Sequence, residues 1–103
     1  MPVTASPQQL ARLDRMWSGF QRAGLLQEAV VNGSNRVDVL WAEAAREHFG
    51  VVDEPHLAVI ARTADLESPQ RGDEIDIGDS RYRVIRVAPY AVAQTELVLE
   101  VVT

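Results

Sequence analysis

The segment "QRGDEIDIGDSRYRVIRV", residues 70–87, carries the clearest indication of a β-fold in this chain. Isoleucine alternates with acidic residues in its first half, and the segment 81–87 alternates again after a cluster of turn formers. Two period-2 runs joined by a short glycine-containing turn are typical of a β-hairpin. We therefore interpret Arg71-Gly72-Asp73 as the turn that opens a strand. A cell-adhesion function is not expected from it, because short motifs match by chance.

The two turns of this hairpin are assigned to Gly72, Asp73, Gly78 and Asp79. Glycine adopts a positive φ without a Cβ penalty, and aspartate favours turns because its side chain bonds the nearby backbone. We expect structural roles for these four residues.

The composition indicates an ordinary soluble globular chain. Its 103 residues are 47% hydrophobic and 24% charged, with a net charge of −5 and no cysteine. These values predict one domain, and they exclude disulfides, thiolate zinc sites and cysteine nucleophiles. The sequence shows neither a signal-peptide pattern nor an apolar run near the ~20 residues of a membrane span. We expect a protein of the cytoplasm, or of a particle assembled there, without membrane contact.

An amphipathic helix is predicted at about residues 7–23. Ser6 is a good N-cap, Pro7 occupies the first helical position, and Gln9 stands where a capping box needs it. The apolar residues that recur at helical spacing form one stripe: Leu10, Leu13, Trp17 and Phe20. This stripe is expected to pack on the core or on a neighbouring subunit.

A β-domain is predicted at about residues 27–102. Strands are expected near 27–32 and 36–42, at 56–62, in the two halves of the hairpin, and at 95–102. No helix of crossover length separates them, which favours an antiparallel arrangement. The expected fold is mainly β: a small antiparallel barrel or sandwich of about six strands with an N-terminal helix.

The segment 43–55 is predicted as a long loop or a short helix, and long loops in small domains are often functional. Its candidate assembly or channel residues are Glu43, Arg46, Glu47, His48, Phe49, Asp53 and Glu54. The spacing of its carboxylates and histidine could suit a metal, but a solvated face is the simpler interpretation. We expect no metal and no cofactor.

The sequence contains no recognisable catalytic constellation. The serines lack a nucleophile-elbow context, and the glycines belong to turns rather than to a phosphate-binding loop. Arg81, Arg83 and Arg86 form the one local concentration of positive charge. A period of two places Arg86 on the face opposite the other two. We expect Arg81 and Arg83 to pair across strands with Glu74 or Asp76.

The C-terminal half resembles the head–tail joining proteins of long-tailed phages, the lambda-type connector or stopper. The residues that carry the resemblance are Arg62-Thr63, Arg71-Gly72-Asp73, Ile77-Gly78, Tyr82, Arg86-Val87 and the Leu-rich strand 97–101. It covers about residues 57–101 well and the 27–42 hairpin loosely. The N-terminal helix and the 43–55 segment lie outside it.

The resemblance implies a structural virion protein with a small β-barrel or sandwich and no enzymatic activity. Such a protein forms a ring, six-fold in the expected case, at the neck of the particle and assembles in the bacterial host cytoplasm. On the head side it contacts the portal and adaptor; on the other, the tail terminator and tail tube. It retains the packaged genome and offers the tail its docking surface, while DNA passes through the lumen without specific binding. The source is a phage, a prophage or a gene-transfer particle. We further hypothesise that the 43–55 loop lines or gates this channel.

Two alternatives remain open from the sequence. One is another neck or tail-completion protein, such as the tail terminator. The other is a small barrel that binds single-stranded nucleic acid, against which the net charge of −5 counts because affinity for phosphate comes mainly from clustered cations.

Overall fold

The computed structural model describes residues 6–43 and 57–102. Within these ranges it contains one α-helix, one short 3-10 helix and six β-strands. The elements are α1 (Pro7–Arg22), β1 (Leu26–Val31), β2 (Asn35–Trp41), β3 (Ala58–Arg62), the 3-10 helix (Thr63–Asp65), β4 (Glu74–Ile77), β5 (Ser80–Pro89) and β6 (Gln94–Val101).

The six strands form a closed antiparallel barrel in the order β1-β2-β3-β6-β5-β4. Four of the pairings join strands that are consecutive in sequence, and a fifth joins β3 to β6. Pairing of β1 with β4 closes the barrel through Ala29↔Ile77, Val30↔Asp76 and Val31↔Ile75. The expected mainly-β fold with an N-terminal helix is confirmed.

The helix begins at the predicted capping box. The Gln9 backbone N–H donates to the Ser6 hydroxyl at 3.1 Å, and the Ser6 backbone N–H donates to the Gln9 side-chain oxygen at 2.8 Å. Both bonds satisfy N–H groups that the first helical turn cannot bond internally. The helix ends at Ala23, which is followed by Gly24 with a φ of 73°.

The barrel interior is filled by inward-facing aliphatic side chains of all six strands. These buried residues are Ala29, Val37, Val39, Val59, Ala61, Ile75, Ile77, Val84, Leu97 and Leu99. Trp41 and Tyr82 pack against this cluster, with ring centroids 5.8 Å apart in an edge-to-face arrangement.

A β-bulge interrupts the period of two in β5. The register with β6 passes from Val84↔Leu99 directly to Arg86↔Val98, so Ile85 is the extra residue. Consequently Val84 and Val87 both join the interior cluster, while Arg86 is exposed. The prediction that Arg86 faces away from Arg81 and Arg83 is wrong, because a bulge resets the alternation by one residue.

Candidate assembly surfaces

Most of the predicted loop residues lie outside the described part of the chain. Glu43 is described and exposed. The others, Arg46, Glu47, His48, Phe49, Asp53 and Glu54, fall outside the described residues, so the hypothesis of a channel loop stays a prediction.

The predicted turn residues border β4. Gly72 and Gly78 have φ values of 98° and 60°, in the region that favours glycine. The Asp73 carboxylate accepts a hydrogen bond from the Gln70 backbone N–H at 2.8 Å, and Asp79 is exposed in the turn between β4 and β5. All four residues shape the hairpin.

The apolar stripe of α1 is divided between the core and the surface. Leu13, Trp17 and Phe20 are buried against Leu40 and Ile60 on the outside of the barrel, and we call this cluster the helix layer. Leu10 is 43% exposed. Of the stripe, Leu10 is therefore the residue best placed to contact a partner.

Arg62, at the end of β3, ties the helix to the barrel. Its guanidinium donates to Asp65 at 2.9 Å and to Asp14 of the helix at 3.3 Å. Its Cζ atom also lies 5.8 Å from the centre of the Trp17 ring, within range of a cation–π contact. No local sequence pattern indicates this role, because Asp14 and Trp17 belong to α1 and are more than 40 positions away from Arg62 in sequence.

An apolar surface lies beside the loop that connects β5 to β6. Val92, at the tip of this loop, is 49% exposed. On one side a cavity of about 260 Å³ opens toward Leu13 and Met16 of the helix. On the other a cavity of about 690 Å³ is lined by Pro69, Pro89 and neighbouring residues. We call this the end surface; its apolar lining suits contact with another protein better than binding of a charged ligand.

Polar side chains are buried close to the end surface. Glu96 is only 9% exposed and lies 3.8 Å from Arg86. Burial, reinforced by the negative charge of Glu96, raises the pKa of Tyr90 above its usual range. Tyr90 is therefore a protonated, neutral phenol near neutral pH, which fits a packing role beside the helix layer.

The three arginines of β5 are paired with carboxylates. Arg81 donates to Asp76 at 2.9 Å, and this hydrogen bond raises the pKa of Arg81. Arg83 bonds Glu100 of β6 at 3.3 Å, so the expectation that it pairs with Glu74 or Asp76 is wrong. Arg83 lies between β4 and β6 in the sheet, and the sequence does not show which of these neighbours it prefers.

The arginines on the exposed side of α1 differ from those of β5 in having no carboxylate partner among the described residues. Arg12, Arg15 and Arg22 are exposed and form no ion pair or hydrogen bond within residues 6–43 and 57–102. Sequence reasoning missed this face because it followed the apolar stripe on the opposite side of the helix.

Other kinds of site find no support in the described segments. Residues 6–43 and 57–102 contain no group of three or more His, Asp or Glu side chains that could hold a metal ion. The same residues include no helix with the length and hydropathy needed to cross a membrane.

No family model matches this chain, and no curated protein matches it either. Among solved structures, the chain is similar to the crystal structure of the ATP-binding sugar transporter-like protein from Salmonella typhimurium. The TM-score is 0.63 at 16% identity, over 89% of this chain and 91% of that chain. At this identity the similarity shows a shared fold and carries no ligand or activity to this chain.

Proposed function

We propose that this chain is a head–tail joining protein, the stopper of a phage-like particle. In this role it forms a ring below the portal and adaptor, closes the channel after packaging and gives the tail its docking surface. It acts as a structural component and not as an enzyme.

The position of the motif residues supports this proposal. Arg62-Thr63 lies where β3 passes into the 3-10 helix, and Ile77-Gly78 lies where β4 turns into β5. Tyr82 packs against the barrel interior, and Arg86-Val87 follows the bulge. The residues that resemble the joining family thus occupy strand ends, turns and core positions of a barrel, the fold that the resemblance implies.

Surface properties of the described residues are compatible with a ring component. The end surface and Leu10 offer apolar contact area beside a folded barrel. The net charge of −5 suits a channel through which DNA slides without being gripped.

The nucleic-acid alternative is weakened by the ion pairs. Arg81, Arg83 and Arg86 each lie within 4 Å of a carboxylate, so phosphate contacts would have to replace existing pairs. A strong, salt-dependent affinity for single-stranded oligonucleotides would favour this alternative over the stopper.

The decisive experiment deletes this gene from the element that encodes it and images the particles by electron microscopy. Tailless heads beside separate tails are expected if the protein joins the two. Emptied heads would point to a lost stopper, whereas filled heads would show only that packaging precedes the block. A plasmid copy of the gene should restore tailed particles. Intact, tailed particles in the deletion strain would refute the proposal. A protein found on isolated tails and not on filled heads would instead favour a tail terminator.

A further inference from the structure

The outer face of α1 is a basic surface on an acidic protein. Arg15 and Arg22 are two helical turns apart, about 10 Å at 1.5 Å per residue, and both point away from the buried stripe. Arg12 lies one turn before Arg15. Ser18 and Gly19 between them are small, so another surface can approach the helix closely. The outer face therefore presents the guanidinium groups of Arg15 and Arg22, which form no ion pairs in the described chain, with Asp14 beside them. Arg12 lies on the flank of the helix that borders Leu13 and Met16.

A complementary surface is found on β1, β4 and their neighbours. We call it the acidic face, and its carboxylates are Glu28, Asp38, Glu74, Asp76 and Asp79. The strand register brings them together: Glu28 is opposite Asp38, and Asp76 is opposite Val30 of β1. Three arginines, Arg36, Arg81 and Arg83, lie among these carboxylates, and Arg83 is itself bonded to Glu100. The face keeps an excess of negative charge, opposite in sign to the arginines of the helix.

Asp38 is the most specific feature of the acidic face. It is half-buried and lines a cavity of about 220 Å³ together with Glu28, Arg62 and Asp65. Glu28 is bonded to Arg36 at 3.3 Å, whereas Asp38 forms no ion pair with any other described residue. Like charges directly opposite each other across two strands are destabilising. Arg36 and Arg62 line the same cavity but are paired with Glu28 and Asp65, so a guanidinium group from another molecule would further relieve this repulsion.

The two surfaces point in different directions. The helix covers β2 and β3 through Leu40 and Ile60, and most of the acidic face lies on β1 and β4, further around the closed barrel. Asp38, on β2, lies at the border between the two surfaces. One copy can therefore use both surfaces at the same time. Such a head-to-tail contact generates a ring when its rotation closes.

We propose that the arginines on the outer face of α1 dock on the acidic face of a second copy of this chain. This proposal rests on the ring of the proposed function and assigns the contact between its subunits. Arg15 and Arg22 supply the guanidinium groups, and Asp38 and Asp79, which form no ion pairs within the described chain, receive them.

The test is a charge-swap experiment with two double variants. The first, Arg15→Glu/Arg22→Glu, reverses the helix face, and the second, Asp38→Arg/Asp79→Arg, reverses the acidic face. Arg71→Glu/Arg86→Glu is a control with the same charge change as the first variant; Arg86 lies opposite Val98 of β6, outside both surfaces. Sedimentation velocity is run at low ionic strength, where the Debye length is about 30 Å. Circular dichroism verifies that each variant is folded. If Arg15→Glu/Arg22→Glu is unfolded, the neutral variant Arg15→Gln/Arg22→Gln replaces it.

We expect the wild type and the control to self-associate, and each reversed variant to associate roughly tenfold more weakly or worse. An equimolar mixture of the two reversed variants should recover association, because each reversed face then meets an opposite charge. A monomeric wild type, variants that associate normally, or a mixture that stays monomeric would each overturn the proposal. So would binding to a DNA duplex that Arg15→Gln/Arg22→Gln abolishes while self-association is unchanged.

This experiment is separate from the test of function. If the charge swap failed but the deletion strain produced tailless heads, the proposed interface would be refuted while the proposed joining function would still stand. Tailed particles in the deletion strain would refute the function whatever the sedimentation data show.

Discussion

The barrel interior holds ten buried aliphatic residues drawn from all six strands, whereas the helix layer holds five residues, three of them from α1. The interior is enclosed by hydrogen-bonded strands on every side of the barrel. The helix layer is bounded on one side by a single helix and relies on two large aromatic side chains, Trp17 and Phe20. Its Trp17 Nε1–H is buried and has no hydrogen-bond acceptor among residues 6–43 and 57–102.

The barrel and the helix therefore have separate sources of stability. A cavity inside a closed barrel cannot collapse easily, while a helix can shift over a cavity beneath it. The two tryptophans report on the two regions separately: Trp41 packs against the interior, and Trp17 lies in the helix layer. Variants with a single tryptophan can therefore test the comparison.

The largest effect is expected from Leu97→Ala in the barrel interior. Leu97 is 1% exposed. Its truncation should lower the free energy of unfolding by about 4 kcal/mol, since the rigid strands leave the cavity open. Urea unfolding followed by circular dichroism measures this. Val101→Ala, on the exposed end of the same strand, should change stability by less than about 0.5 kcal/mol. A similar loss from both variants would contradict the assigned core.

Phe20→Ala should cost about 3 kcal/mol and act mainly on the helix layer. Two single-tryptophan versions of the Phe20→Ala variant test this. We expect the fluorescence of Trp17, measured with Trp41→Phe, to change at a lower urea concentration than the fluorescence of Trp41, measured with Trp17→Phe. Leu10→Ala, at an exposed position of the same stripe, is the control. If both probes reported the same unfolding transition, the barrel and the helix layer would unfold as one cooperative unit. That result would contradict the proposed difference between the two regions.

Arg62→Gln should cost about 1.5 kcal/mol, because it removes the contacts to Asp14, Asp65 and the Trp17 ring together. Arg36→Gln is the matched control: its ion pair with Glu28 is well exposed and should be worth less than about 0.5 kcal/mol. Thermal unfolding at low and high salt measures both losses. If the two variants were equally stable, the contacts of Arg62 with the helix would contribute no more to stability than an exposed ion pair does.

Ser6→Ala gives the smallest of these effects, a loss of about 1 kcal/mol, since it removes the acceptor for the Gln9 N–H. Ser18→Ala makes the same chemical change in the middle of the helix, where alanine has the higher helix propensity, and should be neutral or stabilising. Helical ellipticity and urea midpoints distinguish the two. A loss from Ser18→Ala as large as that from Ser6→Ala would show that the capping box contributes nothing specific.

Sequence patterns predicted the local elements well and the contacts between distant segments poorly. The capping box, the hairpin of β4 and β5 and the strand positions follow from residues close together in sequence. The bulge at Ile85 and the partner of Arg83 do not, because both depend on how β5 meets β6. Of the candidate assembly residues, Leu10 was named from its helical spacing, whereas the end surface and the outer face of α1 emerged from the packing.

Hydrophobic periodicity, caps and turn formers act over a few residues, so the amino-acid order alone specifies which segments become helix and strand. The pairing of β1 with β4 that closes the barrel, and the position of α1 across β2 and β3, arise instead from contacts between distant segments. The same holds for the contact between Arg62 and Asp14, which are 48 positions apart in sequence. Such contacts depend on which complementary surfaces meet once the chain has collapsed, and a local sequence pattern does not contain that information.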